Sequence, residues 1–471
     1  MLKRTSLVFA ALAALGTGCS LINAYDDVLS SGGGGTGAQG GAGGATSTST
    51  TTTGTAMGGG GMGGGGGMPP TFACQPYQNP VEILTPGDLD DTTAIDEQVS
   101  VAFDDQGYTH VMVTNQMTRQ IVVRTVRDNE LGPIVKYPAA PSTQDNRGFQ
   151  LLSVGNKVRV LAKISDVFQV LEYTKNNGQI PMGAPAVITL ATPLVRCDPP
   201  VEHEKLIGAL DGTQPWVVGS CRDTMTGELT VFGNDFTANS VRFQYTGMAN
   251  DPTVRPAQYA RVNGVNVLIT SGENPQGPGY GAFLRAGSDG NVSNTPIPIQ
   301  VEQGKATFPF AVVPGIGATP SVFALIASLD PQSPTFTPAT LFAGIVDGMD
   351  VANLAMSPMS LLDPALEFPN QSAITFVTPP SPAFGQYVSA GINLFDPNTS
   401  KVFLQWWDPE AHLLTNSVIN QIDDPAAQGR HIYAAAGRGN QVFYYVVWVL
   451  EDPMSRYHVF GQRVSCDQVV N

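Results

Sequence analysis

Histidines, acids and cysteines are the residues with which this 471-residue chain could do chemistry, and their spacing assigns none of them to a reaction. His203-Glu204 opens like the helix of a zinc hydrolase, which needs a second histidine four residues after the first; Ile207 stands there instead. The five histidines, His110, His203, His412, His431 and His458, are far apart, and each reads as a surface or hydrogen-bonded structural residue. The acids Asp88, Asp90, Asp91, Asp96 and Glu97 offer the oxygen ligands that calcium takes. They lack the alternating acids, central Gly and closing Glu of an EF-hand, so a solvated loop entering the domain is expected, with no metal and no cofactor. No Gly-x-Ser-x-Gly elbow appears, and no Gly-rich loop ends in Lys followed by Ser or Thr. The catalytic residues, if any, are unassigned at this level.

Trp406-Trp407 is the conspicuous aromatic pair. Neighbours on a strand point to opposite faces, so one ring is expected inside and the other toward a loop or partner, with carbohydrate stacking the alternative to packing. Trp216 and Trp448 lie in apolar stretches and read as core. Asp396-Pro397-Asn398 and Asp423-Asp424 read as turns. Asn291, Asn370 and Asn398 open formal glycosylation sequons, chance matches behind a bacterial-type leader.

That leader is Lys3 and Arg4 followed by the uncharged run Leu7 to Leu15, about half of what a bilayer-spanning helix needs. It ends in Gly16-Thr17-Gly18-Cys19, which resembles the lipobox of bacterial lipoproteins, with Leu15 one place earlier than the usual leucine. The resemblance implies cleavage after Gly18, acylation of Cys19 with more than one chain, and, because Ser20 rather than Asp follows, sorting to the outer membrane. The alternative is ordinary cleavage with Cys19 left as a thiol.

Assigning Cys19 to lipid leaves Cys74, Cys197, Cys221 and Cys466, an even number in an exported protein. Of the three connectivities, Cys197–Cys221 and Cys74–Cys466 are expected. The first pair is close in sequence and the second brackets the globular region. Residues 30–70 form a charge-free Gly, Ser and Thr stretch holding over a third of the chain's 52 glycines. It cannot bury enough apolar surface to fold, and a coil of that length has an end-to-end distance of roughly 35 Å. The expected organisation is signal peptide 1–18, lipidated segment 19–29, tether 30–70 and one domain over 72–471.

The domain's charge balance excludes one class of partner. A formal net charge of −15, with scattered basic residues, makes nucleic acid and anionic headgroups poor partners. Only 13% of residues are charged while Gly and Pro are abundant, which favours a β-rich fold. Ala352 to Leu366 is the one helical stretch in view, and Pro358 and Pro364 interrupt it. Seven times an apolar segment runs into a turn glycine and then a strong strand, at Gly107, Gly155, Gly212, Gly264, Gly317, Gly385 and Gly439, spaced roughly fifty to seventy residues apart. The clearest copy is Val99 to Val126. Here Val99, Val101 and Phe103 share a face, Asp104 to Gly107 turn, and two further strands complete a meander. The pattern resembles β-propellers in general, which implies a ring of seven four-stranded blades closed near Cys74 and Cys466. Tandem β-sandwich domains are the competing architecture.

Two functions fit this reading. One is a rigid binding or assembly module that presents loops to an envelope protein or glycan. The other is an extracytoplasmic enzyme, for example one acting on polysaccharide, with its site in the central depression of the ring.

Overall fold

Runs of Val, Ile, Leu and aromatic residues, cut by Gly, Asn and Asp at close intervals, fold this chain into consecutive antiparallel meanders. The computed structural model describes residues 71–469, interrupted at several connections between strands, the longest being 348–373. The leader, Cys19, the tether, the Ala352–Leu366 stretch, His412 and His431 lie outside the described residues.

The first sheet holds β3 (Ile95–Phe103), β4 (Thr109–Asn115), β5 (Gln120–Arg127) and β6 (Glu130–Pro138) in that order. The second holds β7 (Gln150–Val154), β8 (Lys157–Ile164), β9 (Val167–Thr174) and β10 (Ala186–Thr189). The third is β11 (Val201–Asp211), β12 (Gln214–Asp223), β13 (Leu229–Asp235) and β14 (Ser240–Gly247). The fourth is β15 (Pro256–Val262), β16 (Val265–Glu273), β17 (Tyr280–Ser288) and β18 (Ile297–Ile299). Three strands are described in the fifth, β19 (Ala306–Pro314), β20 (Ser321–Leu329) and β21 (Thr340–Asp347). The sixth is β22 (Ile374–Val377), β23 (Tyr387–Asp396), β24 (Thr399–Trp407) and β25 (Leu413–Ile422). The closing sheet takes β26 (Tyr433–Gly437), β27 (Phe443–Glu451) and β28 (Tyr457–Val469) from the C-terminus. Its outer edge comes from the other end of the domain, as β1 (Thr71–Pro76) and β2 (Val81–Leu84), both paired with β28.

Gly107, Gly155 and Gly264 sit in the turn after the first strand of their sheets with φ of 83°, 54° and 81°. A side chain there would face the steric penalty of the left-handed region, which is why glycine recurs at this point. In these three sheets the repeat visible in the sequence is therefore the first hairpin; Gly212, Gly317, Gly385 and Gly439 lie outside the described residues.

Burial shows how the sheets stack. Every residue of β4 is buried, so both of its faces are covered. Val111 and Val113 join Val99, Val101 and Phe103 in a core shared with Tyr445, Val447 and Val459 of the closing sheet. Met112 points the other way, into a core shared with Val158, Val160 and Leu171 of the second sheet. Further cores join the second sheet to the third, the third to the fourth and the fourth to the fifth. Trp216 and Trp448 are buried in such layers, as expected. A sheet with two apolar faces needs a neighbour on each side, which is the packing of a β-propeller and not of tandem sandwiches. First strands lie beside first strands: β3 by β7, β7 by β11, β11 by β15, β15 by β19, β19 by β22, β22 by β26, and β26 by β3.

Candidate functional site

Two clusters of acid and histidine stand out among the described residues, one sealed and one open. The sealed one begins at Asp104, where β3 ends in the turn to β4. Its Oδ1 accepts the backbone N–H groups of Gln106 and Tyr108, at 2.8 and 2.9 Å, which shapes the turn. Its Oδ2 takes Lys175 Nζ at 2.7 Å, from the connection after β9 of the next sheet. His110 Nε2 lies 3.6 Å from the same oxygen, and Nδ1 is 2.9 Å from Thr125 Oγ1. Ile180 N–H, also from the second sheet, donates to that hydroxyl oxygen at 3.3 Å. Gly178, at φ 78°, lets this connection press on Tyr108, whose ring a Cβ there would overlap.

Burial raises the Asp104 carboxyl, but His110 and Lys175 outweigh it and hold its pKa down to about 2. Burial pushes His110 down, which favours the neutral ring beside the carboxylate. Acid, imidazole and hydroxyl follow one another as in a serine hydrolase. Yet His110 has no exposed surface and Thr125 is 1% exposed, so no substrate reaches the hydroxyl. The cluster is a lock between adjacent sheets. Asp211, in the corresponding turn of the third sheet, does similar work, accepting the backbone N–H groups of Asn263 and Gly264 in the fourth.

The open cluster lies at the seam where the chain's two ends meet. His458 Nδ1 is 2.6 Å from Glu82 Oε1, and its Nε2 is 3.6 Å from Asp452. Asp452 accepts the backbone and side-chain N–H groups of Arg456 and the backbone N–H of Met454, and these donors hold its carboxyl down to about 2. Arg456 also reaches Asp91 at 3.5 Å. The acidic run is a loop only in part: Asp88 sits in a 3-10 turn and pairs with Arg124 at 3.7 Å, and Asp90, just after it, pairs with Lys136 at 2.7 Å. Asp96 and Glu97 fall within β3. Among the described residues, no three His, Cys, Asp or Glu side chains are grouped to hold a metal. His203 is buried edge-on to Phe168, 4.8 Å between centroids, and Glu204 pairs with Arg222. Trp406 and Trp407 fall at the end of β24.

Cys197 and Cys221 are bonded, with Cα atoms 5.6 Å apart, between the second and third sheets. Cys74 and Cys466 face each other in the β1–β28 register. Tyr77 N–H bonds to Arg463 C=O at 2.9 Å, three residues along the same register, so Cys74 opposite Cys466 is a non-hydrogen-bonded pair. Such pairs bring Cα atoms to about 4.5 Å, within disulfide range.

A second repeat runs through the turns between strands. Asn115 Oδ1 accepts the N–H groups of Met117 and Thr118, Asp223 Oδ1 those of Met225 and Thr226, and Asp452 Oδ1 that of Met454, each in the turn between the second and third strands of its sheet. The same order, Asn or Asp and then, three places on, Thr, Ser or Gly, occurs at Asn274, Asp330 and Asp396, at the end of β20 or of the second strands of the fourth and sixth sheets. At Asn274, Asp330, Asp396 and Asp452 the sequence carries the same Asn-Pro or Asp-Pro signal. Met117, Met225 and Met454 all project into solvent from these turns.

No protein-family model and no curated protein matches the chain. Among solved structures, it is similar to the polysaccharide lyase Uly1 (6% identity, 76% of this chain and 88% of that one, TM-score 0.46). It is also similar to the alpha-L-arabinanase of Penicillium chrysogenum (10%, 69% and 96%, TM-score 0.42) and to the β-propeller domain of the Trilobed protease from Pyrococcus furiosus (10%, 78% and 92%, TM-score 0.38). At these scores the likenesses carry no ligand or reaction to this chain.

Proposed function

We propose that the chain is a cell-envelope lipoprotein whose seven-bladed β-propeller serves as a binding or assembly module for an envelope protein or glycan. Acyl chains on Cys19 hold it outside the cytoplasm, at the outer membrane, and residues 30–70 set it off from that surface. The observation that carries this reading is where the tether meets the fold. Thr71–Pro76, the first residues beyond it, are an outer strand of the closing sheet. Tension on the tether therefore loads the β1–β28 ladder along its length, where all its hydrogen bonds share the force. A Cys74–Cys466 disulfide would make that joint covalent.

Seven blades are supported by the order of first-strand contacts, which runs through the sheets and returns from β26 to β3. Thr71 lies opposite Val469, at the far end of the third strand of its sheet. The turns between second and third strands, with Met117, Met225 and Met454, are at the opposite end. A taut tether thus turns that end away from the membrane. Among the described residues no helix is long and apolar enough to cross a membrane.

Intact-mass measurement of the membrane fraction tests the reading. The mature chain should begin at Cys19 and carry added acyl mass, and a Cys19→Ser variant should leave the membrane fraction. An unmodified chain beginning elsewhere would withdraw the membrane assignment. Screening the tethered protein against envelope polysaccharides and outer-membrane proteins then tests the module.

A further inference from the structure

The closing segment carries a groove that ring closure does not need. β1 pairs with β28 through Pro76 opposite Val464, and Tyr77 continues the ladder to Arg463. Pairing resumes only at Val81 opposite Gly461, so residues 78–80 face the single residue Gln462 and the chain bows outward. The bow encloses an open groove of about 700 Å³, completed by Asn129 from the β5–β6 turn of the first sheet.

Its lining is neutral. Pro76 and Pro80 form walls, Asn79 and Asn129 place exposed amides on the rim, and Tyr77 is 53% exposed with Arg463 stacked on its ring at 4.7 Å from the centroid. Gln462, 4% exposed, donates from Nε2 to Gln78 C=O at 2.6 Å, while its Oε1 is buried without a donor. Gln78 Oε1 is buried without a donor as well. Both oxygens are closed to solvent, so the polar groups that a ligand can reach in this groove are the exposed side chains of Asn79 and Asn129.

We infer that this groove binds a neutral oligosaccharide, with Tyr77 as the stacking platform and the exposed Asn79 and Asn129 amides as partners for sugar hydroxyls. No ionised side chain lines the groove, so a charged ligand finds no counter-charge, whereas aromatic faces and amides are what sugar C–H faces and hydroxyls take. The inference rests on the binding-module reading and gives that module a ligand class. The groove adjoins Cys74 and the tether, on a different surface from the Met-bearing turns.

The test is calorimetry and saturation-transfer NMR on the mature protein in a non-glycosidic detergent, with maltotetraose, cellotetraose and tetra-N-acetylchitotetraose as probes. At least one should bind with a Kd below about 1 mM, unchanged by salt at about 0.5 M. Tyr77→Ala should weaken it about tenfold or more and Asn129→Ala several-fold, while Tyr77→Phe keeps it, with the melting temperature of each variant near that of the parent. Failure of all three sugars to bind the folded protein overturns the inference. Binding that Tyr77→Ala leaves intact also overturns it, by moving the sugar site elsewhere, and leaves the module reading standing. Loss of the module reading instead shows as an unanchored chain or as the absence of any envelope partner.

Discussion

The two acid–histidine clusters use the same residue types for joints of opposite character. Asp104, His110 and Lys175 sit between the first two sheets with almost no exposed surface, where each charge depends on its partner because water cannot replace it. Glu82, His458, Asp452 and Arg456 bridge the chain ends in contact with solvent, where water and salt share the work. The buried joint is therefore strong only while complete. The open seam needs another fastener, and the register offers one at Cys74 and Cys466.

Reducing or replacing that fastener should give the largest effect in this comparison. A Cys74→Ser, Cys466→Ser variant should lose up to roughly 5 to 6 kcal/mol by the chain-entropy model, read from denaturant unfolding. A non-reducing peptide map should first show Cys74 linked to Cys466, and finding both alkylatable would remove the contrast. Next comes Lys175→Met, which strands the Asp104 carboxylate. It should cost about 3 to 5 kcal/mol by the same measurement, and a loss under ~1 kcal/mol would mean that the joint is not charge-dependent.

Acid should weaken the buried joint in a defined window. The folded pKa of Asp104, about 2, lies below its ordinary 3.8, so its stabilisation is complete above about pH 4 and disappears as pH falls toward 2, worth about 2 kcal/mol. His110 adds to the slope in the same direction. Its pKa is lowered in the fold, so below about pH 6.5 the unfolded chain takes up a proton that the folded ring refuses. His110→Gln should flatten the upper part of that pH profile. The smallest effect is expected at the open cluster, where Glu82→Gln should cost under ~1 kcal/mol and vanish in high salt.

How much of this was legible differs from residue to residue. Gly107, Gly155 and Gly264 announced the first hairpins because a positive φ selects glycine locally. The Cys197–Cys221 bond followed from an even count and short separation. His110 could be read only as structural, since its partners Asp104, Thr125 and Lys175 come from a turn, another strand and another sheet. The groove at Tyr77 gave no warning, because it depends on a two-residue mismatch between β1, β2 and a strand almost four hundred residues away. The Asx turns at Asn115, Asp223 and Asp452 are within reach of the sequence, because each is a local pattern of Asn or Asp with Thr or Ser three places on.

Strand content, turn positions and the number of repeated hairpins belong to the sequence alone, because they rest on local propensity and on steric limits within a few residues. The pairing of β1 with β28, the neutrality of His110, the burial of both faces of β4 and the unsatisfied oxygens of Gln78 and Gln462 belong to the tertiary structure. Each depends on which distant surface removes water from a group, and desolvation is a property of the assembled fold.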